Sequence, residues 1–250
     1  MRTAELQGRL RALGLDPGPS DGVYGPMTEE AVFDSLDLWA PAVEGPPAGI
    51  VPIEWMPVCT MKRVICHWTA GAHTASSVDI AAYHILIEGD GRLVRGSYSI
   101  KDNVDTSDGR YAAHTKNSNT GCIGVSLCCM AGAIENPFNP GKYPMTEKQF
   151  EVLSMVVAEL CNAYSIPVTD DTVLTHAEVQ HNLGIPQSGK WDYTRLAFDA
   201  DFVGAKACGD YLRECVEDQR AGVFVASVAE VPTASSPEPE IDPSAPIVIP

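Results

Sequence analysis

Residues 63–71 read "RVICHWTAG" (Arg63–Gly71), a run of alternating side chains that ends in small, loop-forming residues. Strand alternation puts Val64, Cys66 and Trp68 on one face and Ile65 and His67 on the other. The stretch is thus a buried strand that delivers a histidine to its C-terminal end, where strands feed the loops that carry sites. The adjacent Cys66 and His67 pose a question. They could form a thiol–imidazole pair, two metal ligands, or one working residue beside one packed neighbour. Alternation favours the last, because the two side chains point to opposite faces.

Downstream, "AYHILI", the turn "EGDG" and "RLVRGSYS" read as a hairpin. "CIGVSLCCM" reads as a third buried strand. "MTEKQFEVLSMVVAELCNAYSI" is an amphipathic helix. Thr146 and Gln149 suit a capping box there, and Phe150, Leu153, Val157, Leu160 and Tyr164 form its apolar stripe. A sheet covered by helices follows, of α/β or α+β class. Upstream, Leu6, Leu10 and Leu13 mark a short helix closed by Gly14. "DPGPSDGVYGP" is dense turn chemistry, and Thr28, Ala31 and Val32 open a second helix.

The organisation expected is a small all-α module at 1–39, a Pro/Gly linker at 40–55, a main domain at 56–215, and an acidic, Pro-rich, disordered tail at 216–250. The chain has 250 residues, with 33 acidic against 17 basic side chains and a net charge of −16. That balance argues against nucleic-acid partners and anionic lipid. No apolar run is long enough for a transmembrane helix, so no membrane insertion is expected. The polar N-terminus lacks the pattern of a secretory signal. The eight cysteines include no C-x-x-C pair and several sit in apolar runs, so they read as reduced core thiols.

Among six histidines, His67 and His176 ("TVLTHAEV") each end an apolar run, and "GKWDY" brings Lys190 and Asp192. Two imidazoles and a carboxylate are an ordinary catalytic zinc set. The plainer reading is two satisfied histidines and a surface aspartate, and spacing alone does not lift the metal set above it.

Five blocks, "VICHWTAG", "AAYHILIEGDGRLVRG", "AAHTKNSNTGCIGVSL", "LTHAEV" and "GKWDYTRL", resemble in order the zinc-dependent N-acetylmuramoyl-L-alanine amidases of the amidase-2 type. T7-like phage lysozymes and peptidoglycan recognition proteins share that type. "LQGRLRALGLDPGPSDGVYGPMTEEAV" resembles a small helical peptidoglycan-binding module, and the pair together is similar to phage or prophage endolysins. The resemblance implies a mixed central β-sheet flanked by helices. It implies one Zn2+ held by His67, His176 and Asp192, with Lys190 and Tyr83 catalytic. His114, Thr115 and Asn119 match a groove region that contacts substrate in the family, with loop orientation as the other reading of His114. Where another branch carries a glutamate base, this chain has Ser126. Glu178 is a candidate to orient a ligand histidine. His84, alternating with Tyr83, reads as structural, while His73 and His181 read as solvated loop residues.

The implied activity is hydrolysis of the amide between N-acetylmuramic acid and L-alanine in bacterial peptidoglycan. A phage enzyme of this kind would wait in the host cytoplasm for a holin-type membrane permeabiliser and then act in the periplasm or wall. The alternatives are a non-catalytic peptidoglycan receptor, a cytoplasmic muropeptide-recycling amidase, and a cysteine hydrolase built on Cys66.

Overall fold

The computed structural model describes residues 3–19, 21–39 and 49–222, which fall into two compact units divided after Gly49. The N-terminal unit has the two expected helices, α1 (Thr3–Ala12) and α2 (Pro26–Trp39). Leu10 and Ala31 are buried, and Gly14 follows α1 with φ +84°. Gln7 is buried too, and it organises the turn between the helices. Its Nε2 donates to the Val23 carbonyl (3.0 Å) and to Thr28 Oγ1 (3.2 Å), and its Oε1 accepts from the Gly22 N–H (3.2 Å). One amide thereby replaces the backbone partners that a tight turn leaves unmet.

Residues 40–48 of the expected linker and 223–250 of the expected tail lie outside the described residues. From residue 50 onward the linker reading gives way to anchored chain. The Ile50 and Val51 N–H groups both donate to the Glu159 carboxylate, and Val51 is buried.

The larger unit is built on a five-stranded mixed sheet. Its strands are β1 (Arg63–Trp68), β2 (Ile85–Ile87), β3 (Leu93–Arg95), β4 (Cys122–Leu127) and β5 (Val173–Thr175), in the order β3-β2-β4-β1-β5. β1 runs parallel to β4 and β5, with His67 opposite Ser126 and Cys66 opposite Thr175. β2 and β3 form the expected antiparallel hairpin, and β2 pairs in parallel with β4. The helices are α3 (Ser77–Ala82), α4 (Glu147–Tyr164), α5 (His176–Leu183) and α6 (Ala205–Arg220). A short ribbon, β6 (Arg195–Leu196) with β7 (Asp199–Val203), precedes α6. Thr146 and Gln149 make the capping box of α4. No helix among the described residues is long and apolar enough to cross a membrane.

The alternation in β1 partitions the molecule. Val64, Cys66 and Trp68 enter the main core with the α4 residues Phe150, Leu153 and Val157 and the α6 residues Cys208, Leu212 and Val216. Ile65 packs on the other face with Cys122 and Val179 of α5, and His67 shares that face. α6 is not among the elements expected from the sequence, and it carries the main unit past the expected boundary at 215 to Arg220. All eight cysteines are free, and only Cys59 is not fully buried. Burial drives the Cys66 thiol pKa far up, which removes Cys66 as a nucleophile.

Candidate metal centre

Three elements bring the site together. β1 carries His67. β5 ends at Thr175 and passes directly into α5, so His176 is the first residue of that helix. Asp192 lies in the segment between α5 and β6, held from both sides. Its carbonyl accepts from the Ala177 N–H (3.3 Å). Its neighbour Tyr193 is fully buried and donates its hydroxyl to the His67 carbonyl (3.1 Å).

The side chains converge. His67 Nδ1 lies 2.9 Å from His176 Nδ1, and Asp192 Oδ2 lies 3.3 Å from His176 Nδ1 and 3.7 Å from His67 Nδ1. All three residues are buried, and their ligand atoms lie within 4.8 Å of one another. A tetrahedral ion with bonds of about 2.0–2.2 Å to nitrogen and oxygen has ligand–ligand edges of roughly 3.3–3.6 Å, so the spacing fits a small divalent cation.

The surrounding hydrogen bonds fix which nitrogens are bare. Gln187 Nε2 donates to the Lys116 carbonyl (2.9 Å), so its Oε1 is the atom facing His176 Nε2 (3.0 Å). His176 therefore carries its proton on Nε2, and its Nδ1 is a lone pair. A similar relay backs His67. His114 Nε2 faces the Cys122 carbonyl (3.4 Å) and so carries the proton, which leaves His114 Nδ1 to accept from His67 Nε2 (3.2 Å). Thr115 Oγ1 sits within 2.9 Å of His114 Nδ1 and 3.3 Å of His67 Nε2. Both histidines thus aim unprotonated Nδ1 atoms at each other and at a carboxylate. Three acceptors facing inward across 2.9–3.7 Å repel one another unless a cation lies between them.

Electrostatics agree. Burial, opposed by the Asp192 hydrogen bond, lowers the His67 pKa to about 4, so the ring is neutral and free to ligate. Burial also holds the His114 pKa well below the usual histidine range, reinforced by His67 and His84. For Asp192, burial alone would raise the carboxyl pKa. Protonated imidazoles at His176 and His67 would reverse this by hydrogen bonding to the carboxylate and hold it well below the carboxylate range; with both Nδ1 atoms bare, a cation bound between them would play that part.

Around this centre lies a cavity of about 350 Å³ lined by Trp68, Thr69, Tyr83, Lys190, Trp191 and Asp192, among others. Lys190 is exposed at its rim and also lines a neighbouring cavity of about 390 Å³ with His181 and Gln187. The Tyr83 ring centroid is 5.1 Å from that of His67. Burial, aided by the Asp192 charge, raises the Tyr83 pKa, so its hydroxyl stays protonated. Trp191 packs edge-on against Trp68 at 4.8 Å.

His67, His176 and Asp192 are brought together as the resemblance implied, with Tyr83 and Lys190 beside them. The placement of the expected substrate contacts is different. His114 and Thr115 are buried behind His67 and line neither cavity. Half-buried Asn119 accepts the Thr115 N–H with its Oδ1 (2.9 Å). These contacts match the loop-orienting reading of His114: the bonds of His114, Thr115 and Asn119 serve His67 and their own loop. Gly124 makes this possible, since a Cβ there would come within 2.5 Å of the His114 ring. His84 is structural as expected, with Nε2 donating to Asn103 Oδ1 (3.0 Å) and Nδ1 accepting from the Gly124 N–H (2.9 Å). His73 is not freely solvated: its Nε2 bonds the Pro144 carbonyl (2.8 Å). His181 is exposed but sits on α5. Gln187, which holds the His176 ring, was not anticipated.

Fold and site together define a mixed α/β domain with a buried His–His–Asp cluster whose Asp192 opens onto a cavity. A family model for N-acetylmuramoyl-L-alanine amidases of the amidase-2 type matches residues 56–194, and a peptidoglycan-binding domain model matches residues 2–34. The chain belongs to the N-acetylmuramoyl-L-alanine amidase family and carries a peptidoglycan-binding module at its N-terminus.

Solved structures to which the chain is similar include the Ph2119 endolysin from the Thermus scotoductus bacteriophage Ph2119, at 14% identity over 52% of this chain and 79% of that chain (TM-score 0.35). PlyL is 17% identical over 69% of this chain and 94% of that one (TM-score 0.37). The amidase LysC from Clostridium intestinale is 17% identical over 54% and 96% (TM-score 0.32). No curated protein matches the chain.

Proposed function

We propose that the protein is a zinc-dependent endolysin that hydrolyses the amide between N-acetylmuramic acid and the L-alanine of the stem peptide. The observation that carries this reading is the pair of bare Nδ1 atoms, 2.9 Å apart and facing Asp192. Two neutral imidazoles and one carboxylate suit zinc and leave a fourth position open. Bound there, zinc supplies Lewis-acid activation of water and of the scissile carbonyl.

The chain's own residues do the rest. Gln187 and His114 keep both ligand rings in the tautomer that presents Nδ1. Lys190, at the cleft rim, offers a cation where the amide oxygen gains charge. Tyr83, which lines the same cavity, keeps its proton and donates a hydrogen bond that positions the attacking water. Trp68 and Trp191 give the cleft an apolar side that limits competing solvent.

The N-terminal module would hold the enzyme on the polymer and raise the local concentration of cleavable bonds. In the same proposal the protein gathers in the bacterial host cytoplasm and depends on a holin-type permeabiliser to reach the wall. Cell fractionation with and without a co-expressed holin tests that part.

Mass spectrometry of digested peptidoglycan tests the reaction. Stem peptides with free L-alanine amino termini and intact glycan strands are expected. New reducing sugar ends, or no released peptide, would refute it.

A further inference from the structure

The family match ends at residue 194, yet α6, which starts at Ala205, reaches the metal centre through one buried contact. Arg213 of α6 is buried and grips Glu178 of α5 with both nitrogens, Nη2 to Oε1 at 2.9 Å and Nη1 to Oε2 at 3.1 Å. Its Nη1 also donates to the Val173 carbonyl of β5 (2.9 Å), and its Nη2 to Asp210 (2.7 Å). Glu178 in turn accepts the Thr175 N–H (2.9 Å) and the Thr175 hydroxyl (3.2 Å).

One carboxylate therefore joins the end of β5, the first turn of α5 and α6. His176 sits inside that turn, between Thr175 and Glu178. The next residue, Ala177, donates its N–H to the Asp192 carbonyl, so the same turn also locates the carboxylate ligand. Gly209 lets α6 come this close, because a Cβ there would lie 2.1 Å from Glu178 Oε1.

We propose that Arg213, Glu178 and Gly209 are a positioning clamp that sets the distance between His176 and Asp192, and that α6 thereby tunes the metal affinity of the site. The inference rests on the metal reading above. A guanidinium fork fixes direction as well as distance, which a single hydrogen bond does not. The clamp acts on the backbone from which His176 starts, while Gln187 acts on the ring. An ion pair that merely joined two helices would add stability and leave the ligand geometry indifferent to its loss.

Zinc affinity of the full chain, measured by competition with a chromogenic chelator, tests this, with near-UV circular dichroism reporting the fold. Gly209→Ala keeps every polar group but pushes on Glu178. It is expected to weaken zinc binding about 10- to 100-fold, the scale of lost ligand support, with a native spectrum. The double variant Glu178→Gln with Arg213→Met keeps an acceptor for the Thr175 cap and removes both buried charges. It is expected to weaken zinc binding in the same range, and it decides the matter if Gly209→Ala does not fold. Wild-type affinity in a folded variant of either kind overturns the clamp. Absence of zinc binding by the wild-type chain would instead overturn the metal reading itself.

Discussion

His67 and His176 present the same atom to the same point, but they are held by opposite means. His67 stands inside β1, fully buried, with its ring backed by the His114–Thr115 relay. His176 stands at a seam where a three-residue strand becomes a helix, its ring backed by Gln187, whose loop is tied down by the Lys116 carbonyl. The first ligand is fixed by the sheet and shifts only if the core shifts. The second is fixed by polar tethers from three separate segments. Depth of packing secures one half of the site, and directional bonding secures the other. The half built from tethers is the more exposed to single substitutions away from the centre.

The largest effect is expected from the point both halves serve. Asp192→Ala removes the charge that balances the cation, so zinc retention, read by elemental analysis after dialysis, falls to background and turnover with it. Next comes Lys190→Ala. Losing one oxyanion donor costs on the order of 100- to 1000-fold in kcat, and zinc content stays unchanged because Lys190 is not a ligand. On the far face of β1, Leu153→Ala opens a cavity in the main core and costs about 2–5 kcal/mol of stability in urea unfolding. Zinc affinity of the folded fraction stays at the wild-type level, which separates the packing face from the chemical face.

The fourth substitution sharpens the contrast between the ligands. Gln187→Leu takes the acceptor from His176 Nε2 and weakens zinc binding about 10- to 100-fold. Thr115→Val weakens it less, because His114 Nδ1 still accepts from His67. Equal effects would erase the proposed difference between a packed and a tethered ligand.

The smallest effect is a pH slope. Burial lowers the His84 pKa to about 4 from 6.5, so between those values the unfolded chain binds a proton that the native chain does not. Stability therefore falls as pH falls through that window, by about 1.4 kcal/mol per pH unit from this residue. His67 and His114 add to it with the same sign. Urea unfolding of the metal-free His84→Gln variant between pH 4.5 and 7 is expected to show a slope shallower by one proton.

What was legible in the sequence follows from what periodicity can carry. β1, the β2–β3 hairpin, β4 and α4 each spell out an alternation or a helical stripe with a cap. α6 does not, because its six buried residues include two cysteines, a glycine and an arginine beside only Leu212 and Val216. β5 is too short to alternate. In the site, strand geometry alone separated Cys66 from His67, but the partners of His67 lie 109 and 125 residues away, and only the resemblance to a family joined them. The roles of Gln187 and His114 depend on which oxygen or nitrogen faces which ring, a relation between distant loops that leaves no local pattern. Glycines were the faint signal: Gly124 and Gly209 each mark a place where another element comes too close for a side chain.

The central claim is that His67, His176 and Asp192 hold a metal that the amidase reaction needs. Activity of the chelator-stripped enzyme on purified sacculi, before and after addition of one equivalent of zinc, tests it most directly. The account predicts loss of soluble-peptide release on stripping and its recovery with zinc. Full activity of verified metal-free protein would contradict it.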